Sequence, residues 1–209
     1  MPRALPRSFY ARPSIEVARD LLGRVLVRTF PDGTRCSVRI VETEAYREDD
    51  PASHSYRGRT VRTDVMFGRP GRLYVYFTYG MHFCMNAVTG RDGEGSAVLL
   101  RSAEPIEGIA GMSARRGTQD PRLLCSGPAR LCEALGVGRD HNGADLVRGG
   151  ELRIEPGAMV ADDLVAIGPR VGIRAGLDQP WRFSVRGSRF VSRGRPGPPP
   201  PRLRGSRGS

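Results

Sequence analysis

Glu42, Glu44 and Tyr46 alternate through Val41-Glu42-Thr43-Glu44-Ala45-Tyr46. On a β-strand that spacing puts two carboxylates and a phenol on one face. Acidic residues are depleted in strands, so the pair has two readings. It is either a solvated sheet edge or a carboxylate at the mouth of a pocket, where it could aim and deprotonate a water. Other chemistry is narrowed by what is missing. All 33 basic residues are arginine. Without lysine no side-chain Schiff base can form, and a P-loop, which needs its lysine, is excluded. A chain-terminal amine remains, at Pro2 if Met1 is removed, within an arginine-rich segment. Cys36, Cys84, Cys125 and Cys132 contain no C-x-x-C pair, and with three scattered histidines they outline neither a zinc site nor a disulfide framework. No metal and no cofactor is expected, and a reducing cytoplasmic compartment fits the cysteine usage.

A second stretch with chemical potential is Leu73 to Val88, aromatic and β-branched, without a charged residue, and interrupted by Gly80. It reads as a β-hairpin turning near Tyr79-Gly80, where glycine supplies the positive φ that a tight turn needs. Tyr74 and Tyr76 share one face, and Leu73, Val75 and Phe77 the other. Ordinary sheet packing would account for Tyr74 and Tyr76. Tyr79 at the tip has little core to enter, and on a basic protein such a residue could wedge between bases. The formal net charge is +11, of which residues 193–209 contribute five arginines and no acid, leaving +6 for the remainder. The arginine-for-lysine bias has the look of coding bias, but the remaining charge still favours nucleic acid over an acidic partner.

The elements that must position these residues follow from pattern. Residues 1–8 read as a disordered arm. Ser14 to Gly23 carries a serine cap, apolar residues at 15, 18, 21 and 22, and a terminal glycine, so it predicts an amphipathic helix. Arg24–Thr29 and Cys36–Glu44 form a hairpin around Pro31-Asp32-Gly33. Segment 47–72 is a polar loop containing His54. Ala97 to Arg101 reads as a buried strand leaving an arginine near its end, followed by a helix over Glu104–Arg116. Another helix begins at Pro128 and stops at Gly136. Short strands fit 151–155, 169–173 and 182–186. The Pro/Arg/Gly-rich residues 193–209 cannot build a core and read as a disordered tail. The outcome is a single mixed α/β (α+β) domain over residues 9–192. No run of 18 apolar residues and no charged-then-apolar leader occurs, so neither membrane insertion nor secretion is expected.

Several of these segments together resemble the alkyladenine (3-methyladenine) DNA glycosylase family, in its bacterial form. They are Val41–Tyr46, Ala52-Ser53-His54, Met66-Phe67, Leu73–Tyr76 with Tyr79-Gly80-Met81, Cys84-Met85-Asn86, Leu99–Pro105, Leu124–Pro128 and Arg182–Gly187. One E-T-E-A-Y is a weak signal; the ordered set, covering nearly all of 9–192, is specific. The resemblance implies a single domain around a curved antiparallel sheet, with a protruding hairpin that inserts into the DNA minor groove. It implies a monomeric, monofunctional hydrolase that flips alkylated or deaminated purines from double-stranded DNA and cleaves the N-glycosidic bond, in the nucleoid of a bacterial cytoplasm, without a cofactor. By motif, Glu44 matches the general base, Arg101 the arginine beside the reacting sugar, and Val171 the residue whose backbone carbonyl helps hold the attacking water. Tyr46, His54 and Tyr76 match the base-sandwiching pocket and Asn86 the side chain that tests the purine edge. Tyr79, with Met81, matches the intercalating tip. The chain departs from the family after Gly58-Arg59-Thr60, where Val61, Arg62, Thr63 and Asp64 replace the usual proline, arginine, asparagine continuation, and Asp64 puts a negative charge beside a DNA-facing loop.

Two other readings fit the same residues in part. A catalytically silent DNA-binding module would use the hairpin and basic surface, but has no reason to place Glu44 against phosphate. A formyl or acyl transferase fold with the tyrosine-rich hairpin in its core predicts no DNA affinity once the tail is removed.

Overall fold

The computed structural model describes residues 3–78 and 80–193. Its frame is an eight-stranded antiparallel sheet, curled into a half-barrel, whose main path runs β3-β4-β5-β2-β1-β6. The strands are β1 (Val25–Thr29), β2 (Arg35–Tyr46), β3 (Leu73–Thr78), β4 (His82–Val88), β5 (Ala97–Glu107), β6 (Leu152–Glu155), β7 (Val165–Gly168) and β8 (Arg182–Val185). β2 is the central member. β5 flanks it along one side, while β1 pairs with its first half and β8 with residues Glu42 to Glu44 on the other. The solvated-edge reading of Glu42 and Glu44 therefore fails, because both carboxylates lie in the middle of the sheet and are fully buried.

Helices α2 (Ser14–Asp20), α3 (Ile109–Arg116) and α5 (Pro128–Ala134) cover one sheet face, with short α1 (Arg7–Tyr10) and α4 (Pro121–Leu124) beside them. The core they form with the sheet includes Val17, Leu21, Val38, Ile40, Leu73, Val75, Val98, Leu100, Met112 and Leu131. Burial of such side chains, at roughly 25 cal/mol per Å² of apolar surface, supplies the main driving force. The opposite face carries the polar and aromatic residues discussed below.

Two bulges decide which residues reach that face. Ile40 pairs with Ala103 and Glu42 with Ser102, so Val41 is an extra residue on β2. Thr43 then pairs with Leu100, so Arg101 is an extra residue on β5. Before the first bulge the core-facing residues of β2 are even-numbered, Val38 and Ile40. After it Ala45 faces the core and the Thr43 hydroxyl donates to the α2 carbonyl of Ala18 at 2.7 Å. The switch turns Glu42, Glu44 and Tyr46 away from the core, as a bulge does when it re-aims a side chain.

Several expectations need correction. Residues 3–8 do not form a loose arm: Leu5 is buried, its N–H donates to the carbonyl of Ile154 on edge strand β6, and α1 begins at Arg7. Ser14 is not the cap of α2, since Pro13 occupies that position and no side-chain cap bond forms. β5 runs through Pro105 to Glu107, and α3 starts only after Gly108, whose φ of 74° breaks the strand. The strand expected at 169–173 lies instead at Val165–Gly168, paired with β8, and 169–173 is irregular. The tail, apart from Arg193, and Tyr79 lie outside the described residues.

Candidate active site

The hairpin of β3 and β4 pairs in register from Leu73–Ala87 to Thr78–His82, with Gly80 at φ 69° in the turn. Its two faces behave differently. Leu73 and Val75 enter the core, while Tyr74 and Tyr76 stack on one another with ring centroids 5.7 Å apart on the site side. His54, from the loop after β2, meets the edge of the Tyr76 ring at 4.6 Å and hydrogen-bonds the Tyr74 hydroxyl through Nδ1 at 3.1 Å. Burial, and then the nearby Arg62 guanidinium, lower the His54 pKa, so the imidazole is neutral near pH 7. Arg62 itself stands 6.0 Å from the centre of the Tyr76 ring. Asn86, opposite Tyr74 in the register, donates from Nδ2 to the Tyr74 carbonyl at 3.2 Å.

These residues bound a cavity of about 500 Å³, closed on its other sides by Tyr46, Leu99, Arg101 and the segment Val171 to Ala175. That volume suits one nucleobase with its sugar, in the range of small-molecule sites. Tyr46, His54, Tyr76, Asn86, Arg101 and Val171, all anticipated from sequence, line this one cavity. Met81 does not; it is 70% exposed at the hairpin end. Tyr79 lies outside the described residues.

Glu44 is held by two hydrogen-bond donors and a guanidinium. Tyr46 Oη donates to Oε2 at 2.8 Å, the Val171 N–H donates to Oε1 at 2.7 Å, and Arg101 Nη1 lies 3.3 Å from Oε1. Burial, and then the Glu44 charge, raise the Tyr46 pKa, so the phenol keeps its proton and remains a donor. Val171 thus engages Glu44 through its N–H, a contact not anticipated from the sequence.

Behind Glu44 sits a second carboxylate whose role the sequence did not reveal. Glu42 accepts from Arg101 Nε at 3.1 Å, Arg182 Nε at 2.7 Å, Ser102 Oγ at 2.8 Å, and the N–H and Oγ of Ser192 at 2.8 and 2.9 Å. Burial works against the charge, but the two guanidiniums and the Ser192 bonds outweigh it, and the Glu42 pKa is lowered. Alternation flagged both acids without saying which faces the cavity. A further pair was also missed. Fully buried Arg170 binds Asp50, with Nη2 3.0 Å from Oδ1, and lies over the rings of Tyr46 at 4.8 Å and Trp181 at 5.1 Å. It ties the loop after β2 to the segment after β7, closing the cavity. No spacing signal links residues 120 positions apart. In the divergent loop, Asp64 pairs with Arg59 at 2.7 Å, which offsets its charge. Among the described residues no cluster of His, Cys, Asp and Glu could hold a metal, and no helix is long and apolar enough to cross a membrane.

A buried carboxylate in contact with three residues of an aromatic cavity, on the open face of a curled antiparallel sheet, is an arrangement in which a water could be deprotonated beside a bound ring. The chain belongs to the methylpurine-DNA glycosylase (MPG) family, whose model matches residues 8–189. Named "Putative 3-methyladenine DNA glycosylase", a protein of Carboxydothermus hydrogenoformans is 49% identical over 90% of this chain and 98% of its own. Proteins of the same name from Burkholderia lata and Methanocella arvoryzae are each 50% identical, over 90% and 92% of this chain and 90% and 98% of theirs. As a member of that family the protein is a DNA glycosylase, an enzyme that acts on N-glycosyl bonds.

Proposed function

We propose that this protein is a monofunctional, monomeric base-excision enzyme that extracts alkylated or deaminated purines of the 3-methyladenine type from duplex DNA and leaves an abasic site. The observation that carries the proposal is Glu44: a fully buried carboxylate directly behind Tyr46, Arg101 and Val171, three residues that line a base-sized aromatic cavity. Its Oε2 accepts only the Tyr46 hydroxyl among the described residues, so one lone pair stays free for a water.

A purine in the stack hides its sugar carbon, so the nucleotide must first be turned out of the helix, at a cost of a few kcal/mol. Tyr79 and the exposed Met81 at the hairpin end are the side chains proposed to fill the gap. Purines alkylated at N3 or N7 are cationic, and each aromatic face of Tyr46 and Tyr76 attracts such a base by about 0.5–2 kcal/mol. The cavity therefore selects by charge as well as shape, with Asn86 positioned to test the base edge. In the chemical step the C1′–N9 bond breaks and its electron pair leaves with the purine, which departs neutral if it entered as a cation. Water adds to C1′ while Glu44 takes its proton. The Val171 carbonyl is proposed to help hold that water, and the Arg101 guanidinium to stand beside the reacting sugar. With no lysine in the chain, the lysine Schiff base on which a β-elimination step could run cannot form.

The test is single-turnover base release from duplexes carrying 3-methyladenine, 7-methylguanine, hypoxanthine or ethenoadenine, by the parent and by Glu44→Gln. The variant is expected to bind damaged duplex as the parent does and to lose about 10²–10⁴-fold in excision. Excision by Glu44→Gln at the parent rate would sink the assignment, and parent binding without release from any duplex would favour a silent DNA-binding module.

A further inference from the structure

Among the described residues, Arg101 is the one side chain that touches both Glu42 and Glu44. Nε meets Glu42 Oε1 at 3.1 Å, Nη1 meets Glu44 Oε1 at 3.3 Å, and Nη2 donates to Ser192 Oγ at 3.4 Å. A guanidinium offered a single buried carboxylate prefers the fork-on-fork arrangement, two parallel N–H···O bonds. Here it does not take that arrangement on Glu44. Glu42 and Ser192 occupy two of its edges and leave Glu44 one long contact. Arg182, which also binds Glu42, supplies the second positive charge that lets a carboxylate remain ionised at this depth.

We propose that Glu42 is a positioning residue for the glycosylase reaction: with Ser192 and Ser102 it parks Arg101 off Glu44, so that Glu44 keeps the basicity needed to take a proton from water. The inference rests on Glu44 being the base. Glu42 itself touches no part of the cavity, which is bounded by Arg101 and Tyr46 rather than by Glu42. It acts by holding Arg101 and by its own nearby charge. Ser192 lies beyond residues 8–189 of the family match, so a residue outside that match closes a network that begins at β2.

The charged and titratable groups around Glu44 are few, which makes the consequence legible. From β2 come Tyr46 and Glu42, from β5 Arg101, from β8 Arg182 and from β3 Tyr76, while the loop after β7 contributes the Val171 N–H. Of these only Arg101 is a cation in contact with Glu44. If Glu42 becomes glutamine, Nε loses its charged partner and the guanidinium can rotate onto Glu44 as a bidentate pair. The like charge of Glu42 is also gone. Both changes favour the ionised form of Glu44, and a carboxylate stabilised in that way accepts a proton less readily.

The experiment is the pH dependence of single-turnover release of 7-methylguanine by the full chain, comparing parent, Glu42→Gln, Ser192→Ala and Ser102→Ala, with affinity for abasic duplex and thermal midpoint measured on each. Glu42→Gln is expected to move the acid limb to lower pH by about one pH unit and to lower the plateau by about tenfold, with abasic-duplex affinity within about twofold of parent. Ser192→Ala removes one hydroxyl that contacts both Glu42 and Arg101, so it should move the limb in the same direction by less, and it guards against Glu42→Gln failing to fold. Ser102→Ala touches Glu42 but not Arg101 and should leave the limb nearest the parent. An acid limb unmoved in both Glu42→Gln and Ser192→Ala, with rates scaling only with folded fraction, overturns the positioning role. Should Glu44→Gln in the same series retain excision, the base assignment itself falls, and the role of Glu42 with it.

Discussion

Removing the Tyr46 hydroxyl and keeping its ring tests the same carboxylate from the opposite side. In Tyr46→Phe the aromatic face against the base survives, while the 2.8 Å bond to Glu44 Oε2 is lost. A hydrogen bond to a charged group contributes about 1.5–3 kcal/mol when buried. Tyr46 is not fully buried, and Glu44 keeps the Val171 N–H and Arg101, so the lower figure applies. That bond stabilises the ionised carboxylate. At about 1.36 kcal/mol per unit of pKa, its loss raises the proton affinity of Glu44 by about one unit. The acid limb of excision then moves up by that amount, opposite in direction to the Glu42→Gln expectation. The assay of choice is single-turnover release of 7-methylguanine, because a cationic purine leaves as a neutral base without a general acid, and a single limb reports the base alone. At neutral pH the rate should stay within about tenfold of parent, since the ring against the base and the Val171 and Arg101 contacts to Glu44 are kept. A limb that stays at the parent pH, or moves down, refutes the reasoning that the phenol tunes Glu44.

Arg170→Gln should cost stability more than chemistry. It strands Asp50 as a buried, unpaired carboxylate, a loss of about 3–5 kcal/mol, and the thermal midpoint should fall by about 10 °C; a change under about 2 °C would show that water or relaxation replaces the pair. Alkaline stability follows from the buried thiols and phenols. Burial pushes the Cys125 thiol up to about 12, and it raises Tyr10 and Tyr76 as well. The folded state holds these protons where the unfolded chain releases them, so the contribution is complete below the ordinary thiol value of 9.0 and lost as pH rises toward about 12. Urea midpoints should decline steadily from about pH 9 upward, and Cys125→Ala should make the first part of that decline shallower; a flat profile to pH 11 would contradict the burial account.

Much of the cavity could be read from residue types and spacing, because its parts are local. The uncharged aromatic run from Leu73 to Val88 can only be a buried or half-buried hairpin, and period-two alternation separates Tyr74 and Tyr76 from Leu73 and Val75. Glu44 and Tyr46 follow from the same rule. What alternation missed is set by pairing between distant segments. Nothing in the local pattern marks Val41 and Arg101 as bulged residues, although the bulges decide that Ser102 joins Arg101 on Glu42. Arg170 and Asp50 meet only after the sheet has curled, and an arginine before valine in an irregular stretch reads as a strand. Leu5 was misjudged because a single apolar residue among prolines and arginines has no periodicity, yet its N–H completes the edge strand β6.

The two bulges set which positions of the paired strands can change in length. Ile40–Ala103 and Glu44–Leu99 share one register only because the extra residue on β2 is matched by one on β5. Each extra residue lies outside the ladder of pairs, so dropping one alone would leave Ile40–Ala103 and Glu42–Ser102, or Glu42–Ser102 and Thr43–Leu100, as successive pairs with their side chains on the same faces as before. A deletion at Val41 would keep Glu44 turned away from the helical core, whereas one at Arg101 would remove the bridge between the carboxylates. A one-residue length change is therefore expected at Val41 more readily than at Arg101, and alignments of lineages with an altered strand should show a gap in β2 without one in β5.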